Sequence, residues 1–393
     1  MKKIEQAQRF LREMNSDGWL IYDFQGNNPL ARLFLEIPPS QKTTRRLFYW
    51  IPAIGEPVKI VHAIESHVLD ERPGVKRIFL SWESLQEQVG KVLKGKSRVA
   101  MEYSPNNAIP YVSKVDGGTI DFIRSFGVEV VSSGSFLPYF TARITPEQGE
   151  SHIRAGRALD RIVNDAWDWI RTHLKQGRSI TDCDVQQQIM REFVKEKLVA
   201  KEAPIVGVNE HSADPHYTPC QEKPVAIREG DFVLIDLWGK EDKPQSIYAD
   251  ITRVAAAATL PTEKQSRIFS IVRQAQRAAT ELVITRFKKN QEIRGFEVDD
   301  CARSVIRQAG FGDYFIHRTG HNIEVSLHGS GANMDNLEMH DERPILASTC
   351  FSIEPGIYLP NEFGVRLEYD LYVHQDGRVE IVGGEQNEIV CLM

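Results

Sequence analysis

Over residues 1 to about 140, short apolar runs alternate with amphipathic stretches. The runs at 19–22, 46–50, 58–61, 77–80, 99–101 and 128–131 have the length and β-branched or aromatic content of strands. Between them, residues 4–14, 84–93 and 118–126 place apolar side chains at helical spacing. The alternation predicts an α/β domain over residues 1–144. Residues 138–145 read as a linker. The GNNPLA stretch, residues 26–31, reads as a loop reaching toward a site or as an ordinary turn.

At Thr145 the period changes. Thr145-Pro146-Glu147-Gln148 is a capping box with proline in the first turn. Leu159, Ile162, Val163, Ala166, Trp167 and Ile170 then mark one helical face, which Gly177 ends. Thr181 opens a second helix with Val185, Ile189, Phe193 and Val194 on its apolar face. The pattern returns at Thr262, where Gln265 closes another box and Ile268, Ile271, Val272, Ala275, Ala279, Leu282 and Val283 follow. A shorter helix carries Val298, Ala302, Val305 and Ile306 and stops at Gly310. Strand-rich segments, 203–257 and 314–390, follow the two helix pairs. Residues 145–393 therefore read as a second domain made of two helix–helix–sheet copies, alike in architecture and not in sequence. The fold class expected for the chain is α+β.

Composition narrows the function. The chain has 393 residues, 41% hydrophobic and 26% charged, which suits a folded protein of two domains. Its net charge of −6 and lack of a basic run argue against a nucleic-acid partner. No stretch approaches the ~20 apolar residues of a membrane span, and no apolar signal core follows the N-terminal lysines. The five cysteines are scattered, with no Cys-x-x-Cys pair, which points to a reducing cytoplasm.

Four places in the second domain break the apolar pattern with acids or imidazoles. Asp236 follows Val233-Leu234-Ile235, and Asp250 sits inside YADITRV. IHRTGHNIEVSLHG holds His317, His321 and His328. Glu354 and Glu368 interrupt CFSIEPGIYLPNEFGVRLEYDLYV. Singly, each reads as a turn residue, a cap or a surface histidine. Together they would leave four carboxylates in an apolar layer with Arg253 and Arg366 as the basic residues beside them, and a buried carboxylate is costly unless a positive charge meets it. Oxygen ligands with one imidazole suit Mn²⁺, Co²⁺, Zn²⁺ or Fe²⁺. Two divalent ions would cancel four carboxylates, whereas one would leave two negative charges. Charge balance thus favours a metal pair, about 3.5–4 Å apart in two-metal hydrolases.

The ordered set Asp236, Asp250, His321, Glu354, Glu368, in the motifs IDLWGK, YADITR, HRTGHNI, SIEPGIY and GVRLEYD, resembles the pita-bread metallopeptidases: methionine aminopeptidase, aminopeptidase P and prolidase. The likeness covers roughly residues 145–390 and is nearest the Xaa-Pro branch. Residues 1–140 resemble the N-terminal α/β domain of creatinase and prolidase weakly. The resemblance implies that Asp236 chelates one ion, that His321 and Glu354 hold the other, and that Asp250 and Glu368 bridge both. Manganese is the metal expected first. The resemblance further implies roles in catalysis or substrate contact for His216 in PHYTP, His317 and His328, a proton-transfer role for Glu354, and a hydrogen-bonding role for Arg366 near the bridging carboxylates. Tyr217, beside His216, is a candidate wall for a proline ring. The expected substrate is a short proline-containing peptide, and the expected assembly a cytoplasmic homodimer.

Three departures bear on the pocket rim. Asp236 and Asp250 lie 14 residues apart against eleven in common members, which predicts a longer hairpin within 240–245. Asn322-Ile323-Glu324 replaces the usual Gly-Ile-Gly after the histidine ligand. Gly329 replaces the acidic residue usual after His328, and SGANMDN follows. His340 and Arg343 lie near enough in sequence to be weighed as anchors for a substrate carboxylate. Two other readings are a metal-free creatinase-like C–N hydrolase, disfavoured because all five ligands are retained, and a non-catalytic binding module, disfavoured by Glu354, His216 and His328.

Overall fold

The computed structural model describes residues 2–393. The chain divides into two compact units, Met1–Thr141 and Ala142–Met393.

The first unit contains α1 (Lys2–Glu13), β1 (Gly18–Asp23), α2 (Pro29–Phe34), β2 (Leu47–Pro52), β3 (Val58–His62), β4 (Val75–Phe79), α3 (Trp82–Leu93), β5 (Arg98–Met101), α4 (Gly117–Arg124), β6 (Glu129–Ser132) and α5 (Pro138–Thr141). Its six strands form one mixed sheet in the order β4-β3-β2-β1-β5-β6. The central strands β1 and β2 are buried at every position, covered on both faces, and so are almost wholly apolar rather than alternating with polar residues, while the edge strand β4 is largely exposed. Trp19 and Ile21 of β1 join Leu11, Phe34 and Phe136 on one face. Leu20 and Tyr22 join Phe48, Leu85 and Ile123 on the other.

The GNNPLA stretch is a turn at Gly26 that runs through Asn28 into the first turn of α2. Asn28 caps α2, accepting the Ala31 N–H at 3.0 Å. Its amide also donates to buried Glu102 at 2.8 Å, and the Trp19 indole N–H donates to the same carboxylate at 2.5 Å. The stretch is thus spent inside its own unit, a turn followed by a capped helix start, rather than an open loop. The expected linker is likewise part helix, because Pro138–Thr141 form α5.

The second unit opens on α6 (Pro146–Lys175), whose Thr145 and Gln148 make the capping box read from the sequence. There follow β7 (Ile180–Thr181), α7 (Asp182–Glu196), β8 (Leu198–Val199), β9 (Ile205–Val208), β10 (Ala226–Ile227), β11 (Phe232–Glu241) and β12 (Ala249–Ala256). The second half holds α8 (Glu263–Lys288), α9 (Gly295–Gln308), β13 (Asn322–Ile323), β14 (Thr349–Ile353), β15 (Gly356–Leu359), β16 (Phe363–Arg366), β17 (Tyr369–Val373), β18 (Val379–Val382) and β19 (Val390–Cys391). Val194, expected on the apolar face of α7, is 76% exposed. Phe193 fills the buried position beside it.

The antiparallel β11–β12 hairpin sorts its side chains by period two. Val233, Ile235 and Leu237 pack against α6 and α7 with Leu159 and Ile189. Phe232 and Leu234 turn the other way, toward Ile268, Phe351 and Leu371. Asp236 shares the parity of Leu234. Asp250 and Thr252 share that of Val254, another residue of the second cluster. Both aspartates are therefore sent to the face away from α6 and α7, where the second half of the unit lies.

Burial pushes the Glu102 carboxyl from the ordinary 4.5 up to about 7 against the two donors that would lower it. Its proton is held more tightly in the folded chain than in the unfolded one. Folding stability should therefore decline as pH rises from about 4.5 to about 7, by ~3 kcal/mol, and stay level above. Urea denaturation at pH 5 and pH 8 checks this: Glu102→Gln should lack that pH-dependent component, whatever its constant offset. Equal pH dependence in the two proteins would refute it.

Candidate metal centre

Register brings the first acids together. In the hairpin Asp236 lies opposite Thr252, and Trp238 opposite Asp250. The two aspartates are thus diagonal neighbours on one face. Glu354 follows the last residue of β14, and Glu368 stands between β16 and β17, its N–H donating to the Thr252 carbonyl at 3.3 Å. His321 sits just before β13, whose partner is β14. Gly320 allows this approach: a Cβ there would fall 2.0 Å from the Ser352 carbonyl oxygen.

One oxygen each from Asp250 and Glu368 and one ring nitrogen of His321 all lie within 4.8 Å of one another, and all three residues are buried. His321 Nε2 is 3.7 Å from Asp250 Oδ2 and 3.6 Å from Glu354 Oε1. Asp236 joins through Arg366, whose Nη2 donates to Asp236 Oδ2. Arg366 Nε donates to Thr252 Oγ1 at 3.0 Å, and Thr252 Oγ1 donates to Glu368 Oε2 at 2.6 Å. Arg366 so reaches Asp236 directly and Glu368 through a hydroxyl. Arg253, the other basic residue by the acids, is spent on backbone: it donates to the carbonyls of Thr252, Glu368, Gly383 and Gly384.

The electrostatics are those of a site built for cations. Burial, then repulsion from Glu368, Asp236, Asp370 and Glu354, pushes the Asp250 carboxyl well above the carboxylate range. Burial and the Glu354 charge do the same to Glu368. Burial raises Glu354 to about 7, and raises Asp236 despite Arg366. Asp236 Oδ1 and Asp250 Oδ1 are buried with no hydrogen-bond partner. Burial and neighbouring His328 hold the His321 imidazole well below its ordinary value, hence neutral. Its Nδ1 lies 3.3 Å from the Asn322 carbonyl, which requires a donor there. Nε2 therefore presents a lone pair to two carboxylates. Neutral imidazole with carboxylates at that spacing is a donor set that could hold a divalent metal ion.

The remaining candidates sit around this centre. His317 is neutral, burial and Arg366 driving it to about 3. Its Nδ1 faces the Arg318 carbonyl at 2.7 Å and its Nε2 the Tyr358 hydroxyl at 2.7 Å, so neither nitrogen is open. His328 is exposed, its ring edge-on to His321 at 4.5 Å and 71°. His216 is exposed and close enough to lower the His328 value, but it makes no described contact with the four acids or the His321 imidazole. Tyr217 turns its hydroxyl away, donating to buried Asp182 at 2.7 Å. Arg343 is 2% exposed and locked to Asp341 at 2.8 Å, which removes it as a carboxylate anchor. His340 stacks on Phe296 and bonds Asn336.

Sequence reading missed Thr252, Ser352, Tyr358, Asp370 and His152. Ser352 Oγ accepts the His321 N–H at 3.0 Å and donates to Glu354 Oε1 at 3.1 Å. Tyr358 accepts from Arg366 Nη1 at 3.0 Å and, given the His317 tautomer, donates to that ring. Asp370 Oδ2 accepts the Asp250 N–H at 2.8 Å, with His152 Nε2 3.7 Å away. For Thr252, Ser352, Tyr358 and Asp370 the available signal was the same as for the acids, since they lie within the motifs already singled out; His152 lies on α6, outside those motifs.

Because Thr252 joins Arg366 to Glu368, Thr252→Val should lower divalent-ion affinity about 10- to 100-fold, the usual effect of removing an outer partner of a ligand. Calorimetric titration of chelator-treated protein with Mn²⁺ measures it. Wild-type affinity in the variant would dismiss the link.

Comparison with known proteins agrees with this geometry. A family model described as metallopeptidase family M24 matches residues 150–375. The Xaa-Pro dipeptidase of Lactobacillus helveticus is 32% identical over 243 residues, 62% of this chain and 60% of that protein. The putative dipeptidase YkvY of Bacillus subtilis (strain 168) is 34% identical over 256 residues, 65% and 64% of the two chains. The chain thus spans about 60% of the length of these curated relatives. The crystal structure of dipeptidase PepE from Mycobacterium ulcerans superposes with a TM-score of 0.71 at 24% identity, covering 100% of this chain and 97% of that one. The prolidase from Pyrococcus horikoshii OT3 superposes with a TM-score of 0.62 at 21% identity, covering 99% and 100%. These likenesses show the fold, which is the α+β pita-bread architecture preceded by an α/β unit, and the family implies divalent metal ions. This chain belongs to metallopeptidase family M24.

Proposed function

We propose that the chain is a cytoplasmic, homodimeric peptidase that uses two divalent ions, Mn²⁺ foremost, to hydrolyse the Xaa-Pro bond of dipeptides or of peptide N-termini. The observation carrying the metal-dependent part is the neutral His321 Nε2 facing Asp250 and Glu354 at 3.7 and 3.6 Å, with unpartnered aspartate oxygens beside it. Asp236, Asp250, His321, Glu354 and Glu368 are the residues that would hold the ions. When bound, such a pair supplies an acidified water and polarises the scissile carbonyl. The Xaa-Pro preference draws support from the Lactobacillus helveticus relative, named an Xaa-Pro dipeptidase. Five free cysteines suit a reducing compartment.

The chain's own groups then divide the remaining work. Glu354, steadied by the Ser352 hydroxyl, receives a proton and returns it to the leaving nitrogen. That nitrogen belongs to proline and carries no hydrogen in the substrate, so recognition has to come from the ring. His317 suits this task, because both its nitrogens are already bonded and its ring offers carbon to the substrate. His328 and His216 stand at the open rim and donate N–H groups to the carbonyl oxygen as charge develops there. Arg366 holds Asp236 in place and offsets part of the cost of burying its charge.

Hydrolysis of Ala-Pro, Ala-Pro-Ala and Met-Ala-Ser by chelator-treated enzyme, with Mn²⁺, Co²⁺ or Zn²⁺ restored, tests the reading. Cleavage of the proline peptides and its loss on chelation are expected. Failure on all three peptides with every metal would remove the peptidase reading. Asp250→Ala should cost more than the roughly 10- to 100-fold of an outer-partner loss, and near-wild-type activity would contradict its role.

A further inference from the structure

The loop bearing His328 is made of the residues by which this chain departs from the usual family pattern, and they fasten one another. Asn322 Oδ1 accepts the Gly331 N–H at 2.7 Å, and the Asn322 carbonyl accepts the Gly329 N–H at 2.7 Å. Glu324 Oε1 accepts both the Ser330 N–H at 2.7 Å and the Ser330 hydroxyl at 2.9 Å. Residues 325–328 are thereby closed into a tight loop. A Cβ at Gly329 would fall 2.3 Å from Asn322 Oδ1 and 2.8 Å from Glu324 Cδ. The space a side chain at 329 would need is already filled by the side chains that replace glycines at 322 and 324. The acid absent after His328 is supplied from across the loop.

The longer hairpin meets the same loop. Lys240 Nζ donates to the Val325 carbonyl at 2.7 Å and lies 4.9 Å from the Tyr248 ring centroid. The Tyr248 N–H donates to the Glu324 carbonyl at 3.1 Å. Val325 and Leu327 pack against the apolar group containing Ile247, Tyr248 and Ile323. The loop is therefore held from within by Glu324 and from outside by the hairpin, while His328 at its end lies edge-on to His321.

We propose that Glu324 and Lys240 are positioning residues that fix the approach of His328 to the metal centre, in place of an acidic neighbour at 329. The inference rests on the role given to His328 above. An imidazole on an exposed loop is useful as a donor when its backbone is pre-organised, since small misplacements near the reacting atoms are costly.

Mn²⁺-loaded Glu324→Ala, Lys240→Met and Lys240→Arg proteins, each also combined with His328→Ala, test this. Amide hydrogen exchange over residues 325–331, Mn²⁺ affinity, and kcat and KM on Ala-Pro are read. Glu324→Ala should speed exchange in the loop at least tenfold and lower kcat about 10- to 100-fold, with Mn²⁺ affinity unchanged. Lys240→Met should act in the same direction, and Lys240→Arg should restore. On the His328→Ala background, Glu324→Ala should cost nothing further. Unchanged exchange, or losses that multiply in the double variant, overturns the proposal. If wild-type enzyme cleaves no peptide, the functional reading fails while the exchange comparison still decides whether the clasp exists. If Glu324→Ala does not fold, the triple variant Asn322→Gly/Glu324→Gly/Gly329→Glu should fold with a protected loop, and its failure overturns the proposal.

Discussion

Four carboxylates closing around a neutral imidazole set the terms for the second unit. Such a group is expensive to assemble, because each acid loses water and repels the others. Arg366 is the guanidinium bonded directly to it, at Asp236, so most of the negative charge is left for something else to meet. The rest of the unit is organised around bearing that cost. Strands from both halves place the acids, and hydroxyls from Thr252 and Ser352 tie neighbouring groups together.

Those hydroxyls explain how a crowded site keeps its shape. Thr252 accepts from Arg366 and donates to Glu368, while Ser352 accepts from the backbone of His321 and donates to Glu354. Each hydroxyl can serve both sides of a contact, which neither a carboxylate nor a guanidinium can do. Buried polar networks hold one geometry when every member is satisfied. Here Asp236 Oδ1, Asp250 Oδ1, Asp370 Oδ1 and His152 Nε2 are left without a partner.

The rim follows a different rule. His216 and His328 are exposed, and the loop between His321 and Gly331 lies beside the centre. It is held by polar contacts among its own substituted residues and by the hairpin opposite.

The sequence by itself determined the long helices of the second unit and marked out the acids and imidazoles that interrupt its apolar strands. Capping boxes at Thr145 and Thr262 have local causes, within four residues, and so were legible. The acids were legible because charge inside an apolar strand has no bland explanation when repeated four times. What the sequence could not decide was partnership over long separations. Arg366 and Asp236 are 130 residues apart, Thr252 and Glu368 are 116, and Lys240 and Val325 are 85. Arg343 looked available and is buried on Asp341, Tyr217 looked like a wall and is bonded to Asp182, and GNNPLA, read as a loop or a turn, is a turn whose Asn28 caps a helix. In each case local chemistry fixed what the side chain can do. Packing between distant strands fixed whether it was free to do it.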